Sequence, residues 1–266
     1  MNITFIGAGN VAWHLAPALE NAGHQVNEVV SRQLSHARQL VSLLYDARPR
    51  TNLNLTDSPS ELFVLTVPDD ALPDVCSRLV LPENAIVVHT SGSRSLDDLN
   101  GWMQVYSDVP ARTGVFYPLQ TFSRSQNPLD FEGIPICIEA ADPDTEAKLV
   151  TLGQEISSIV YLVNSAERRI LHLSAVFACN FTNHLLAVAQ NLTEAHDLEF
   201  DLLKPLIRET FRKALLAPNP ADVQTGPARR GDQKTINTHL QMLADQPRLM
   251  EIYEVMTESI RGKRGR

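Results

Sequence analysis

Apolar and polar positions alternate along this chain with two different periods. Over the first 163 or so residues, short runs rich in Val, Ile, Leu and Phe, at 3–6, 26–30, 62–67, 85–90, 112–116, 136–139 and 159–163, are predicted strands. Between them, 11–21, 34–45 and 148–157 carry helical patterns, the last introduced by Asp142 as N-cap and Pro143 at the first helical position. Strands alternating with helices predict a doubly wound parallel sheet with crossovers on both faces. After Val163 the strand pattern stops. Residues 165–195 read as one long helix, apolar around most of its circumference, which predicts a post buried on most sides or a dimer contact. Further helices are predicted at 199–217, 234–244 and 248–261, with a Pro/Asn/Gly-rich loop at 218–232. The chain thus divides into an α/β domain, 1–164, and an all-helical domain, 165–266, expected to bind substrate and to form a homodimer.

Composition narrows the partners. The 266 residues hold 23 Lys and Arg against 31 Asp and Glu, a net charge of −8, and 44% of them are hydrophobic. A nucleic-acid binder carries a clustered positive excess, so no nucleic-acid partner is expected. Only the tail 261–266 is a basic run, and it reads as a frayed terminus. Five of the 23 cations are Lys (148, 204, 213, 234 and 263), which leaves 18 Arg. Cys76, Cys137 and Cys179 are odd in number and widely spaced, so neither a disulfide framework nor a metal site is expected. The first strand begins at Ile3, leaving no room for a secretory leader. The apolar stretch 171–189 is broken by His172, Asn180, Asn183 and His184, so no membrane span is expected and the cytoplasm is the expected compartment.

The first strand runs into Gly7-Ala8-Gly9-Asn10-Val11-Ala12, a G-x-G-x-x-A turn that opens a helix. In that context the turn is a dinucleotide site: Gly7 permits the tight turn, Gly9 lets the backbone approach a pyrophosphate, and the helix N–H groups face the anion. The second strand ends in Ser31-Arg32 with no acid at its tip. A hydroxyl and a guanidinium suit a 2′-phosphate, so the expected cofactor is NADP rather than NAD, with Glu28 lying mid-strand.

Strand tips border the ligand in an open parallel sheet. Val67-Pro68-Asp69, Thr90-Ser91-Gly92 and Tyr117 through Gln120 are therefore candidates for the nicotinamide end, although Pro68 and Gly92 would serve equally to shape loops and Ser91 to cap the following helix. On the long helix, His172 and Asn183 would point within about 20° of each other but lie about 16 Å apart on an ideal helix. Asn180, Asn183 and His184 fall on one face at i, i+3 and i+4, as pocket-lining groups or as partners of neighbouring helices. In the loop 226–232, Arg230 is expected to hold a small anionic substrate, with Asp232 fixing the guanidinium.

The motifs Ile6–Ala12 (6–12), Val67-Pro68-Asp69-Asp70, His89-Thr90-Ser91-Gly92, Tyr117-Pro118-Leu119-Gln120-Thr121-Phe122 and Gly226-Pro227-Ala228-Arg229-Arg230-Gly231-Asp232 together resemble the Rossmann-like proteins that carry a C-terminal domain of unknown function and are named NADP oxidoreductases. More distantly the layout is similar to pyrroline-5-carboxylate reductase, prephenate dehydrogenase, ketopantoate reductase and the β-hydroxyacid dehydrogenases. The resemblance implies a helical domain of the 6-phosphogluconate-dehydrogenase-like type, a homodimer, and hydride transfer to or from a small carbonyl, imine or hydroxy acid bound between the domains. It places 178–183 where the pyrroline reductases carry a small-residue substrate segment, and it implies His where this chain has Tyr117. Ketopantoate reductases and β-hydroxyacid dehydrogenases have a catalytic Lys on the long helix, whereas this chain has none between Lys148 and Lys204. His172 or His184 is then the expected group that titrates near neutral pH. The competing expectation is a dinucleotide-binding sensor or assembly protein without turnover.

Overall fold

The computed structural model describes residues 1–124 and 127–262, so most of the basic tail lies outside the described residues. Eight strands form one sheet: β1 (Asn2–Ile6), β2 (Gln25–Val30), β3 (Arg48–Arg50), β4 (Leu62–Leu65), β5 (Ile86–His89), β6 (Arg112–Pro118), β7 (Ile136–Ala140) and β8 (Val160–Leu162). Their spatial order is β3-β2-β1-β4-β5-β6-β7-β8, the two-way winding of an α/β dinucleotide fold. All neighbours are parallel except β6 and β7, which run antiparallel. The sheet is therefore parallel-dominated rather than wholly parallel, because the chain between β6 and β7 returns along the same edge without a crossover helix.

Alternate strand positions feed two cores. Ile3, Phe5, Val64, Val88 and Phe116 bury on one face, and Ile6, Phe63, Leu65 and Val87 on the other. Strands buried on both faces read as near-continuous apolar runs, which is why they were legible. The crossovers are α1 (Asn10–Asn21), α2 (Leu34–Val41), α3 (Leu72–Arg78), α4 (Leu96–Tyr106) and α5 (Pro143–Gln154). Asp142 caps α5 as expected, its carboxylate accepting the amide of Thr145 at 2.9 Å.

The long helix is present as Ser165–Glu194, 30 residues, composed of α6 (Ser165–Ala175), a π-helical turn (Val176–Phe181) and α7 (Thr182–Glu194). Contacts divide the chain into two compact units, Met1–His184 and Leu185–Arg266, so the boundary falls inside this helix. The expectation that it is buried on most sides is corrected: none of its apolar window is buried, and Ile170, Leu173, Phe177 and Phe181 are exposed. By length and composition it is long and apolar enough to cross a membrane. The second unit continues with α8 (Lys204–Leu216), α9 (Pro227–Arg230), α10 (Gln233–Met242) and α11 (Pro247–Gly262). Among its described residues only Ala228, Ile236, Leu243 and Thr257 are buried, while Leu202, Leu206, Leu215 and Val255 are exposed.

Candidate functional site

The glycine turn between β1 and α1 is built for close approach. Gly7 has φ +114°, and a Cβ there would stand 2.6 Å from the carbonyl oxygen of Thr66, so only glycine fits. Thr66 closes the contact from its side, donating its hydroxyl to the carbonyl of Gly7 at 2.9 Å. Gly7, Ala8, Gly9, Ser31, Arg32, Val67 and Pro68 line one cleft, together with His36 and Arg124, neither of which was expected there. Asn10 and Val11 do not line it: the side chain of Asn10 donates to the carbonyl of Phe122 at 3.1 Å, and Val11 packs against the core.

Glu28 is held inside the sheet edge. It is buried, and its carboxylate accepts from Arg50 at 2.5 Å and from the hydroxyls of Ser58 at 2.6 Å and Thr4 at 3.3 Å. The tip of β2 consequently offers Ser31, Arg32 and His36 and no free carboxylate, and these residues also frame an adjoining groove.

A second cluster forms at the carboxyl ends of β5 and β6. Tyr117 is half-buried, and its hydroxyl lies 3.1 Å from Nδ1 of His172 on α6. Burial, reinforced by Cys137, pushes the phenol up to about 12, so its proton is held at neutral pH. The imidazole lies against Gly92, where a Cβ would stand 2.6 Å from Nδ1. One turn earlier, Arg168 is fully buried. Its Nε donates to the carbonyl of Ser91 at 3.2 Å, its Nη2 to the carbonyl of Arg94 at 2.6 Å, and its Nη1 to Glu139 of β7. Ser91 is committed to the turn, its hydroxyl accepting the amides of Ser93 at 3.1 Å and Arg94 at 3.0 Å, while Ser95, not Ser91, caps α4. Thr90 donates its hydroxyl back to the carbonyl of Leu65 at 3.3 Å.

A further cleft is lined by Gln120, Thr121, Phe122, Ser123, Leu129, Cys179, Asn180 and Asn183. Three of the residues singled out from sequence thus come together here, and the π-helical turn presents two of the cleft's walls, Cys179 and Asn180. That turn also lies between His172 and Asn183, so the ideal α-helical spacing between them does not hold: His172 faces Tyr117 and Asn183 faces this cleft. His184 is exposed and lines neither cleft. In the second unit, Asp232 caps α10 instead of fixing Arg230, accepting the amide of Thr235 at 3.1 Å and its hydroxyl at 2.7 Å. Those bonds hold its carboxyl below the usual range, and Arg230 stays exposed.

Arg168, Glu139 and His36 were missed in the sequence. Arg168 stands between Glu167 and Arg169 at the start of α6, so no sequence signal marked it as the buried one of the three. Behind this cluster His89 is fully buried, with Nδ1 accepting the amide of Ser91 at 3.1 Å. Burial first, then the charge of Arg168, lowers it from 6.5 to about 4. Between those values the unfolded chain binds a proton that the folded chain refuses, so this residue makes stability fall as pH drops from about 6.5 to about 4 and level off below. Urea unfolding across that window should show a loss on the order of 3 kcal/mol that His89→Asn abolishes; an identical slope in the variant refutes the assignment.

The Rossmann-like domain model matches residues 1–103, and the model of a domain of unknown function, DUF2520, matches residues 134–260. No curated protein matches the chain. Among solved structures, a Bacteroides fragilis protein provisionally named an NADP oxidoreductase is similar at 39% identity, covering 98% of each chain with a TM-score of 0.89. A Thermotoga maritima protein at 19% identity covers 98% of this chain and 97% of that one with a TM-score of 0.68. An imine reductase from Myxococcus stipitatus, in complex with NADP⁺, shares the fold at 15% identity, covering 98% of this chain and 93% of that one with a TM-score of 0.65. The chain belongs to the family of Rossmann-like proteins with a C-terminal DUF2520 domain.

Proposed function

We propose that the protein is an NADP(H)-dependent oxidoreductase acting on a small carbonyl, imine or hydroxy-acid substrate. The observation that carries this reading is the tip of β2, where Ser31, Arg32 and His36 meet the glycine turn while Glu28 is locked to Arg50. Its nearest support in kind comes from the Bacteroides fragilis protein's name and from the NADP⁺ complex of the imine reductase. Gly7, Ala8 and Gly9 would hold the pyrophosphate, and Arg32 the 2′-phosphate. When bound, the cofactor supplies or accepts the hydride.

The chain's own part is placement and the proton. Tyr117 holds a proton on its phenol oxygen and donates it to the substrate oxygen or nitrogen as that atom gains charge; His172 Nδ1, 3.1 Å away, orients the hydroxyl. Gln120, Asn180 and Asn183 supply amide donors and acceptors for the rest of the substrate. Arg230 is exposed on the second unit, where its guanidinium could hold an anion. The many exposed apolar side chains on α6 to α8 and on α11 are covered, on this reading, by a second copy of the chain.

NADPH should bind at least about tenfold more tightly than NADH, and Arg32→Ala should erase the difference by weakening NADPH alone; equal wild-type affinities would sink the cofactor assignment. Tyr117→Phe should lower kcat about 10²- to 10⁴-fold on a reducible imine or carbonyl while NADPH affinity is kept. If NADPH binds and no carbonyl, imine or hydroxy acid turns over, the sensor reading replaces the enzyme. Light scattering should return twice the chain mass, and a monomer would leave the apolar helices without their proposed cover.

A further inference from the structure

The segment that follows β6 belongs to two clefts at once. Gln120, Thr121, Phe122 and Ser123 line the amide-rich cleft, and the next residue, Arg124, lines the cleft of the glycine turn. The segment is pinned to α1 at Phe122 and Ser123, and α1 also holds Leu129 further on. Asn10 donates to the carbonyl of Phe122 at 3.1 Å. His14, fully buried, accepts the amide of Leu129 at Nδ1 at 3.2 Å. Its remaining proton therefore sits on Nε2, which donates to the carbonyl of Ser123 at 3.0 Å. The same ring stacks on Phe122 with centroids 5.3 Å apart.

Arg124 emerges from this pinned backbone with a defined direction. Its guanidinium carbon lies 5.1 Å from the ring centroid of Trp13 on α1, and Nη2 donates to the side-chain oxygen of Gln39 on α2 at 3.1 Å. Gln39 stands one helical turn beyond His36, which lines the same cleft as Arg124. A guanidinium stacked on one helix and hydrogen-bonded to the next is pre-organised for phosphate, because little side-chain freedom remains to be lost.

We propose that Arg124 is a phosphate ligand of the dinucleotide, and that through it the bound cofactor fixes the 120–123 wall of the amide cleft, so that the substrate is received in full only after the cofactor. The inference rests on the NADP reading above and deepens it. The coupling is reciprocal: whatever tightens the wall also tightens the cofactor.

The test uses the full-length protein and two readouts, calorimetric titration with NADP⁺ and NAD⁺, and hydrogen–deuterium exchange of the 119–124 amides with and without saturating NADP⁺. In the wild type, NADP⁺ should slow exchange across 119–124. Arg124→Ala should weaken NADP⁺ about tenfold and, at saturation, leave 119–124 exchange as it is in the free protein. Arg124→Lys should recover part of both effects, and Arg124→Gln, which keeps the stem on Trp13, should behave as the alanine variant while controlling for folding. A loss confined to NADP⁺ assigns the contact to the 2′-phosphate, and an equal loss on both dinucleotides assigns it to the pyrophosphate. Wild-type affinity in Arg124→Ala, or wild-type protection of 119–124 in that variant, overturns the proposal while leaving the cofactor reading intact. Failure of the wild type to bind either dinucleotide removes both.

Discussion

The buried guanidinium of Arg168 sets the arrangement around the ends of β5 and β6. A charge without solvent exposure carries a desolvation penalty of several kcal/mol, offset only when its donors are filled. All three nitrogens are: Nη1 by Glu139 of β7, Nε by the carbonyl of Ser91, and Nη2 by the carbonyl of Arg94 and the hydroxyl of Ser165. Segments far apart in sequence thus share one arrangement in which the charge is tolerable. His172, one turn along the same helix, inherits its place from that arrangement, and Gly92 yields the space its ring occupies. The same positive charge helps to keep His89 neutral, so the only other buried imidazole near the turn can serve as a hydrogen-bond acceptor for Ser91.

The cofactor side follows a similar logic with the opposite sign. Glu28 is an acid within reach, in sequence, of the place where a ribose hydroxyl would be read. Arg50, Ser58 and Thr4 consume it, and the edge strand β3 exists in part to deliver Arg50 to that position. With that acid paired inside the sheet edge, Arg32 and Arg124 line the cleft as cations beside Arg78, whose guanidinium pairs with the cleft's Asp74 at 3.3 Å. A net charge of −8 is compatible with this because anion recognition depends on the few charges lining a cleft.

Sheet and crossovers were legible because their cause is local: apolar runs with period 2 and capped helical periods are written in consecutive residues. The strand Arg48–Arg50 was not, since three residues with a central proline carry no pattern, and its place at the sheet edge is what tolerates Pro49. The glycine turn is written in consecutive residues, whereas the bond that holds the Asn10 side chain is not, since its partner, the carbonyl of Phe122, lies 112 residues away. Asp232 was drawn toward Arg230 by proximity in sequence, whereas the free amides of the next helix gave it nearer partners. The π-helical turn had no sequence signal at all, and it breaks the ideal helical spacing between His172 and Asn183.

The exchange at Tyr117 is where resemblance and structure meet. The relatives it resembles imply an imidazole at that strand position, and a phenol pushed up to about 12 holds its proton too firmly to receive one near neutral pH. The structure supplies an imidazole from a different element: His172 reaches the phenol across Gly92. Such a substitution requires that the second histidine be held on a rigid element at hydrogen-bonding distance. Arg168 and Gly92 meet that requirement together, the one by fixing the helix and the other by leaving room for the ring, so the loss of either should uncouple the pair even though neither touches the phenol's proton.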